Sequence, residues 1–519
     1  MNHLIITPVL LPLLTSLALL LMNGRPLKLL RSVSLLSAAV LVVINLNLLH
    51  TSSNGTIVVY ALGNWAPPYG IALVMDRLSA LMLLLTSVLA LCSLCYAARD
   101  KASDGPRSDD QPIDSLMHFL LMGLNGAFLT GDLFNLFVFF EILLLASYGL
   151  LLHGGGPART KAGLHYVILN LAGSSLFLIA VSMLYGLTGT LNMADMAVVV
   201  GQMDPANGPL VATAALLLLL VFALKAALVP IYFWLPRAYA SASAPVAAIF
   251  AIMTKVGVYA IIRVYMLIFG DTAGSIANLV LPWLWPVALV TLVLGFIGVL
   301  AARDLRTQVS YLLIVSVGTL MAGVALHTKA ALSATLYYLI HSTLICGGLF
   351  LLADLIGRQR GEARDRIEAG PAVGRPVLLG SLFFVAALSV VGLPPLSGFV
   401  GKALLLKAAG GGSEAIWLWS AVLFGSLAAL TALSRSGSTI FWRSQEPAVH
   451  TLRSDRIATM TVVALLAAGP ALAIWGNDVM QFTEALAQQI LTPNDYINAV
   501  LSHRPVPNPS VPNPTAGGN

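Results

Sequence analysis

The sequence predicts an all-α polytopic membrane protein of about fourteen transmembrane helices, on three observations. Of its 519 residues, 58% are hydrophobic and only 10% charged, with a mean hydropathy of +0.88. A water-soluble fold of this length could not keep so much apolar surface from solvent. Apolar runs of spanning length recur at roughly 3–22, 30–49, 72–96, 114–130, 132–152, 162–187, 209–235, 243–269, 279–301, 308–326, 330–356, 376–407, 415–434 and 457–475. Finally, 20 of the 28 Lys and Arg residues fall on alternate loops, and only Arg77, Lys329, Lys407 and Arg504 lie on the opposite side. That asymmetry is the positive-inside pattern. It places both termini outside a bacterial cytoplasmic membrane and makes loops 50–71 and 188–208 external. The net charge of +6 then reflects topology and a lipid bilayer partner, not nucleic acid.

Taken in order, residues 1–113 hold spans 1–3. The first apolar run has full span length, so it is expected to stay as a helix instead of being cleaved as a signal. Asp76 and Arg77, at the outer end of span 3, read as a surface pair. Cys92 and Cys95 mimic a redox C-x-x-C but sit in an apolar helix, as does Cys346, so all three read as small core residues.

Residues 114–270 hold spans 4–8 and residues 278–435 hold spans 9–13. Each block contains one interrupted span. Span 7 reads VFALKAALVPIYFWLPRAY, with Pro230 and Pro236; span 12 reads VVGLPPLSGFVGKALLLK, with Gly392, Pro394, Pro395 and Gly398. Proline removes a backbone donor and clashes with the preceding turn, so each helix should break or kink. Freed backbone groups at membrane depth are tolerated only where protein or water satisfies them. Breaks five spans apart predict two five-helix repeats, and because five is odd their orientations are inverted, the plan of many transporters. An ordinary proline kink is the alternative. Residues 456–476 form span 14. Residues 477–519 are an external tail, whose part from about 503 is rich in Pro, Asn and Gly and expected to be disordered.

Within these apolar spans lie Glu141, Lys225, Lys255 and Lys402. A charge at mid-membrane costs about 2.5–3.5 kcal/mol on insertion scales, so each marks a functional hypothesis. Glu141 is nine residues past Asp132 and therefore ~13 Å deeper along a helix. Alone it would protonate; a nearby lysine would keep it ionised, and Lys225, also near mid-span, is the candidate partner. Such a pair is a switch, because moving the lysine away raises the acid's proton affinity. A structural ion pair between helices is the alternative. Lys255 and Lys402 read as desolvated lysines able to load and release protons. His341, in YYLIHSTLICGG, adds an imidazole of suitable titration range, or is simply hydrogen-bonded to Tyr337 one turn earlier. Arg263, near a helix end, reads as snorkelling to the interface. No metal-ligand cluster, P-loop or dinucleotide fingerprint is present, which implies no cofactor, no metal site and no enzymatic chemistry of its own.

The segments FNLFVFFEI around Glu141, LKAALVPIYFWLPRAY, APVAAIFAIMTKVGVYAIIR, DLRTQVSYLLIVSVG and GLPPLSGFVGK resemble the antiporter-like family shared by respiratory complex I and the Mrp cation/proton antiporters. GNWAPPYGIALVMDRLSALMLLLTSVLA is most similar to its Mrp D-subunit branch. The resemblance covers spans 3–12 and implies fourteen helices with broken helices 7 and 12. It implies that Glu141 and Lys225 are the essential pair, Lys255 the central lysine and Lys402 the terminal one. Two positions depart from the family: Tyr239 stands where many members carry histidine, and Cys346 where many carry lysine. The relay between Lys255 and Lys402 must then use His341, hydroxyls or water. The implied activity is exchange of cytoplasmic Na⁺ for external protons, with other membrane subunits as partners. The alternative is a proton-pumping subunit of complex I or a membrane-bound hydrogenase, whose redox sites would lie in partners.

Overall fold

The computed structural model describes residues 3–22, 24–98, 113–443 and 456–503. The expected disorder beyond about 503 and the loop cations Arg99, Lys101, Arg107, Arg453 and Arg504 lie outside these residues. The first two helices are α1 (Thr7–Leu21) and α2 (Leu27–Ser53). A short antiparallel ribbon follows, β1 (Val58–Ala61) on β2 (Ala72–Met75), pairing Val58 with Met75. Next come α3 (Arg77–Ala97), α4 (Ile113–Leu129), α5 (Leu133–Leu152), α6 (Pro157–Thr188), α7 (Met193–Gly201), α8 (Gly208–Ala226), α9 (Trp234–Ser241) and α10 (Ala244–Leu267). The second half holds α11 (Leu281–Ala301), α12 (Leu305–Ala325), α13 (Lys329–Gln359), α14 (Pro376–Val391), α15 (Ser397–Ala408) and α16 (Ser413–Phe441). The chain closes with α17 (Arg456–Leu466), α18 (Ala468–Ile474), α19 (Gly476–Leu491) and α20 (Pro493–Leu501).

Eleven of the described helical segments are long and apolar enough to cross a membrane, and the shorter apolar helices α1, α4 and α14 fall on three of the remaining expected spans. Several begin where the sequence supplies a capping oxygen: Asp76, Asp132, Asp304 and Thr328 accept from the backbone N–H of Ser79, Asn135, Thr307 and Ala331. Each satisfies a donor that the first turn leaves unpaired. The core sits around α10, in which every residue from Ala244 to Leu267 is buried, and around α12 and α13. α2 and α16 lie at the periphery. α10 approaches α8 so closely that a Cβ on Gly257 would overlap the backbone of Ala226, the use of a small residue expected where membrane helices meet.

Both interrupted spans are broken, and in the same way. Ala227 (φ 59) and Gly392 (φ 85) are left-handed, and the next residue bonds five back: Leu228 N–H to Ala223 O and Leu393 N–H to Leu388 O. These are left-handed helix caps. The backbone re-enters helix at α9 and α15.

Two expectations are corrected here. Arg263 does not snorkel: it is 7% exposed and grips Asp76 with both terminal nitrogens, at 2.7 and 2.8 Å. Asp76 is therefore not in a surface pair with Arg77, whose guanidinium binds the carbonyls of Ser53 and Ala485 instead. Beyond the last expected span α19 and α20 fold back over the bundle, and Tyr496 of α20 lies 5.0 Å from the Arg263 guanidinium. Counting depth along α10 alone could not show that its end is roofed by a segment over two hundred residues later.

At the opposite, basic end, residues 361–368 wrap around the buried Arg360 guanidinium, which donates to the carbonyls of Arg364, Arg366 and Glu368. Arg306 of α12 clasps Asp365 at 2.9 and 3.0 Å. Burial would raise the Asp365 carboxyl, but the hydrogen bonds and charge of Arg306 hold it below the usual carboxylate range. Its folded pKa is depressed, so this clasp contributes its full stability above about pH 4, the unfolded value, and loses it as pH falls through the lower folded value. Amide protection factors at 305 and 367 should be flat from neutral pH to about 5 and fall below about 4. The same fall in an Asp365→Asn variant would assign it to another group.

Candidate functional site

The five expected groups are carried by α5 (Glu141), α8 (Lys225), α10 (Lys255), α13 (His341) and α15 (Lys402). Glu141 is half-buried, whereas Lys225, Lys255, His341 and Lys402 are 8%, 0%, 1% and 6% exposed. At such depths a polar head needs a partner, and the partners define the site.

Glu141 and Lys225 do not touch; no ion pair of 4.0 Å or less joins them. Each is held by α6 instead. Ser174 donates its hydroxyl to Glu141, and the Lys225 ammonium donates to Asn170 Oδ1 at 3.1 Å. Asn170 and Ser174 are one turn apart, so α6 carries them on one face and joins acid to base. Sequence reasoning missed both, since polar residues within a long apolar helix carry no signal of what they face; their i, i+4 spacing in the span following Glu141 was the one available clue. Beside Lys225, a cavity of about 20 Å³ is lined by Tyr166, Asn170, Trp234, Met253 and Val256. That is room for one water molecule, and Met253 and Val256 flank Lys255 on α10. Trp234 Nε1 donates to Leu224 O at 3.2 Å, a carbonyl that also accepts from the Ala227 N–H at the cap.

Lys255 donates to the Ser316 hydroxyl of α12 at 2.7 Å. His341 does not bond Tyr337, whose hydroxyl donates to Leu472 O. Its Nδ1 instead lies 2.8 Å from the Ser397 hydroxyl at the start of α15, and its ring tilts against Tyr338 at 5.6 Å. Lys402 donates to the carbonyls of Val390 (3.0 Å) and Val391 (2.8 Å) and to the Ser426 hydroxyl (3.0 Å). The two carbonyls are those exposed where α14 stops. The proline break thus builds the lysine's socket. The structure brings His341 and Lys402 to the same elbow, whereas Lys255 sits on α10, whose Met253 and Val256 line the cavity beside Lys225.

Among the described residues none of the three lysines has a carboxylate within 4 Å. Each head group is held by hydroxyl, amide or carbonyl oxygens, so it can change protonation without breaking an ion pair. Cys92 and Cys95 form no disulfide, and Cys346 is a buried thiol. Among the described residues no group of three His, Cys, Asp or Glu is placed to hold a metal ion.

Gly398 sits inside the elbow. A Cβ there would overlap the Ser389 carbonyl oxygen and press on His341 Nε2 at 3.0 Å, so α15 would have to move off α14. Gly398→Ala is expected to cost about 1–3 kcal/mol, read as a lowered thermal midpoint of the assembled protein. An unchanged midpoint would show the elbow to be compliant.

Residues 130–430 match the family model described as NADH:quinone oxidoreductase/Mrp antiporter, TM. The chain is 42% identical to the D subunit of a probable K(+)/H(+) antiporter of Rhizobium meliloti (strain 1021), over 97% of this chain and 98% of that one. It is 38% identical to the D subunit of the Na(+)/H(+) antiporter of Bacillus subtilis (strain 168), over 96% and 100%. Its fold is similar to a chain in the Mrp complex of Dietzia sp. DQ12-45-1b, with a TM-score of 0.86 at 28% identity, covering 96% and 100%.

Proposed function

The chain belongs to the NADH:quinone oxidoreductase/Mrp antiporter family of membrane proteins, and from that premise we propose that it is the proton-translocating D subunit of a multisubunit monovalent cation/proton antiporter. It is a transporter subunit, not an enzyme, and works with other membrane subunits. In this reading it is built of fourteen crossings, with α4–α10 and α11–α16 forming two inverted five-helix repeats. The matching left-handed caps at Ala227 and Gly392 support that plan. Both termini are external, by the charge asymmetry of the loops.

The observation that carries the function is the set of buried lysines without carboxylate partners. A structural charge in a membrane interior is normally paired; Lys225, Lys255 and Lys402 are solvated by neutral groups, which suits proton carriers. Glu141 and Lys225 act as the coupled entry unit through Ser174 and Asn170. Lys255 is the central carrier. His341, with Ser397, links the central stretch to Lys402, which hands protons toward one side. Protons move inward through this chain and drive the cation out. Na⁺ is the proposed cation; part of the cation path lies in partner subunits. A redox-driven pump remains the alternative within the same family, but the full-length relatives above are named as antiporter subunits.

The test uses inverted vesicles carrying the complete gene cluster. Respiration acidifies the lumen, a pH dye reports it, and Na⁺, K⁺ or Li⁺ is then added. Dye recovery on adding a cation is expected. No response to any of the three would replace antiport by the redox-driven reading.

A further inference from the structure

A cavity of about 940 Å³ opens at the basic end of the bundle. It is framed by the first turns of α6, the end of α9, the start of α12 and the 362–366 turn. Four of its eight charged lining residues are already engaged. Arg306 is clasped by Asp365, Arg366 faces Glu368 at 3.3 Å, and Asp304 caps α12. Among the described residues Lys161, Arg237 and Arg364 line the same cavity with no carboxylate within 4 Å, and Glu362 at the rim has no cation within 4 Å; the lining as a whole carries five cations and three carboxylates, an excess of two positive charges. Three cations from three separate elements converge on one hollow. The turn that forms its floor is tied by Arg360 and by the Arg306–Asp365 clasp.

The wall continues as hydrocarbon. Leu164 and Ile168 line the cavity and, with Leu171, are 60%, 57% and 61% exposed. At i, i+4 and i+7 they form one stripe on α6. From Lys161 to Leu171 it rises ~15 Å, the hydrocarbon depth of one leaflet, half of about 30 Å.

We infer that this cavity binds the phosphate headgroup of an anionic phospholipid, with its acyl chain along Leu164, Ile168 and Leu171. A basic hollow set between membrane helices at the charged face recognises such headgroups, and the stripe distinguishes a lipid from free phosphate. The site touches α6, which carries Asn170 and Ser174, and α9, which follows the break beyond Lys225. It does not depend on which cation is transported.

The test is native mass spectrometry of the whole purified complex after delipidation. Phosphatidylglycerol and phosphatidylcholine with the same acyl chains are added back, with and without millimolar inorganic phosphate. Three forms are compared: wild type, Lys161→Gln/Arg237→Gln/Arg364→Gln, and the charge-conserving Lys161→Arg/Arg237→Lys/Arg364→Lys. Phosphatidylglycerol should stay on wild type and the charge-conserving form. At about fivefold per charge, its affinity should drop on the order of 100-fold in the glutamine form. Equal retention of phosphatidylcholine, unchanged retention by the glutamine form, or loss from the charge-conserving form would each overturn the inference. Displacement by inorganic phosphate would reassign the site to the free anion.

Discussion

Replacing Glu141 with glutamine is expected to abolish cation-triggered proton movement while leaving the complex assembled. The side chain keeps its size, and its amide oxygen can still accept from Ser174, so α5 and α6 keep their contact. What is lost is the proton-binding carboxylate and the negative charge that Lys225 faces across Asn170 and Ser174. Removing a group that transfers protons typically costs 10²–10⁴-fold, so dye recovery should fall to background. Because acid and lysine are not in contact, the substitution strips no direct partner from the lysine, and assembly on native gels should match wild type. Loss of assembly would make Glu141 a structural brace. Retained transport would take it out of the proton path.

Arg263→Ala is expected to do the opposite: to prevent assembly or stable folding without any role in transport. Asp76 is 3% exposed, and both its oxygens are taken by Arg263. Removing the guanidinium strands that carboxylate and removes the cation lying over the rings of Tyr259 (5.4 Å) and Tyr496 (5.0 Å). Breaking a buried pair on one side costs about 3–5 kcal/mol. The double variant Asp76→Leu/Arg263→Met should recover most of the thermal midpoint, because replacing a whole buried pair with apolar groups is often neutral. A single variant as stable as wild type would contradict this.

The membrane architecture is legible in the sequence because its signals are local. A twenty-residue apolar run, an alternating loop charge and a proline within a helix each act where they are written. For the same reason Glu141, Lys225, Lys255, His341 and Lys402 can be singled out from sequence, and the structure brings His341 and Lys402 to one elbow. Their partners cannot be read. Ser174, Asn170, Ser316, Ser397 and Ser426 look like any small polar residues in a helix, and which one meets a lysine depends on how helices pack. Tyr337 and Tyr338 show the limit most clearly. They are adjacent, yet their side chains diverge around α13, and only Tyr338 stands beside His341. Arg263 defeats a sequence reading because its neighbours are distant along the chain: Asp76 lies 187 residues away and Tyr496 arrives from the far end.

The socket around Lys402 has an arithmetical consequence. An ammonium has three N–H donors, and here there are three acceptors, Val390 O, Val391 O and Ser426 Oγ. A neutral amine has only two. In the proton-carrier reading proposed above, a neutral Lys402 keeps two N–H donors for Val390 O and Val391 O, and its lone pair can accept from the Ser426 hydroxyl, so no carbonyl is left unpaired inside the bilayer. Losing the proton therefore reverses the third hydrogen bond, so that the Ser426 hydroxyl, which accepts from the ammonium, donates to the amine. In that reading the proton count of Lys402 and the direction of the Ser426 hydroxyl change together.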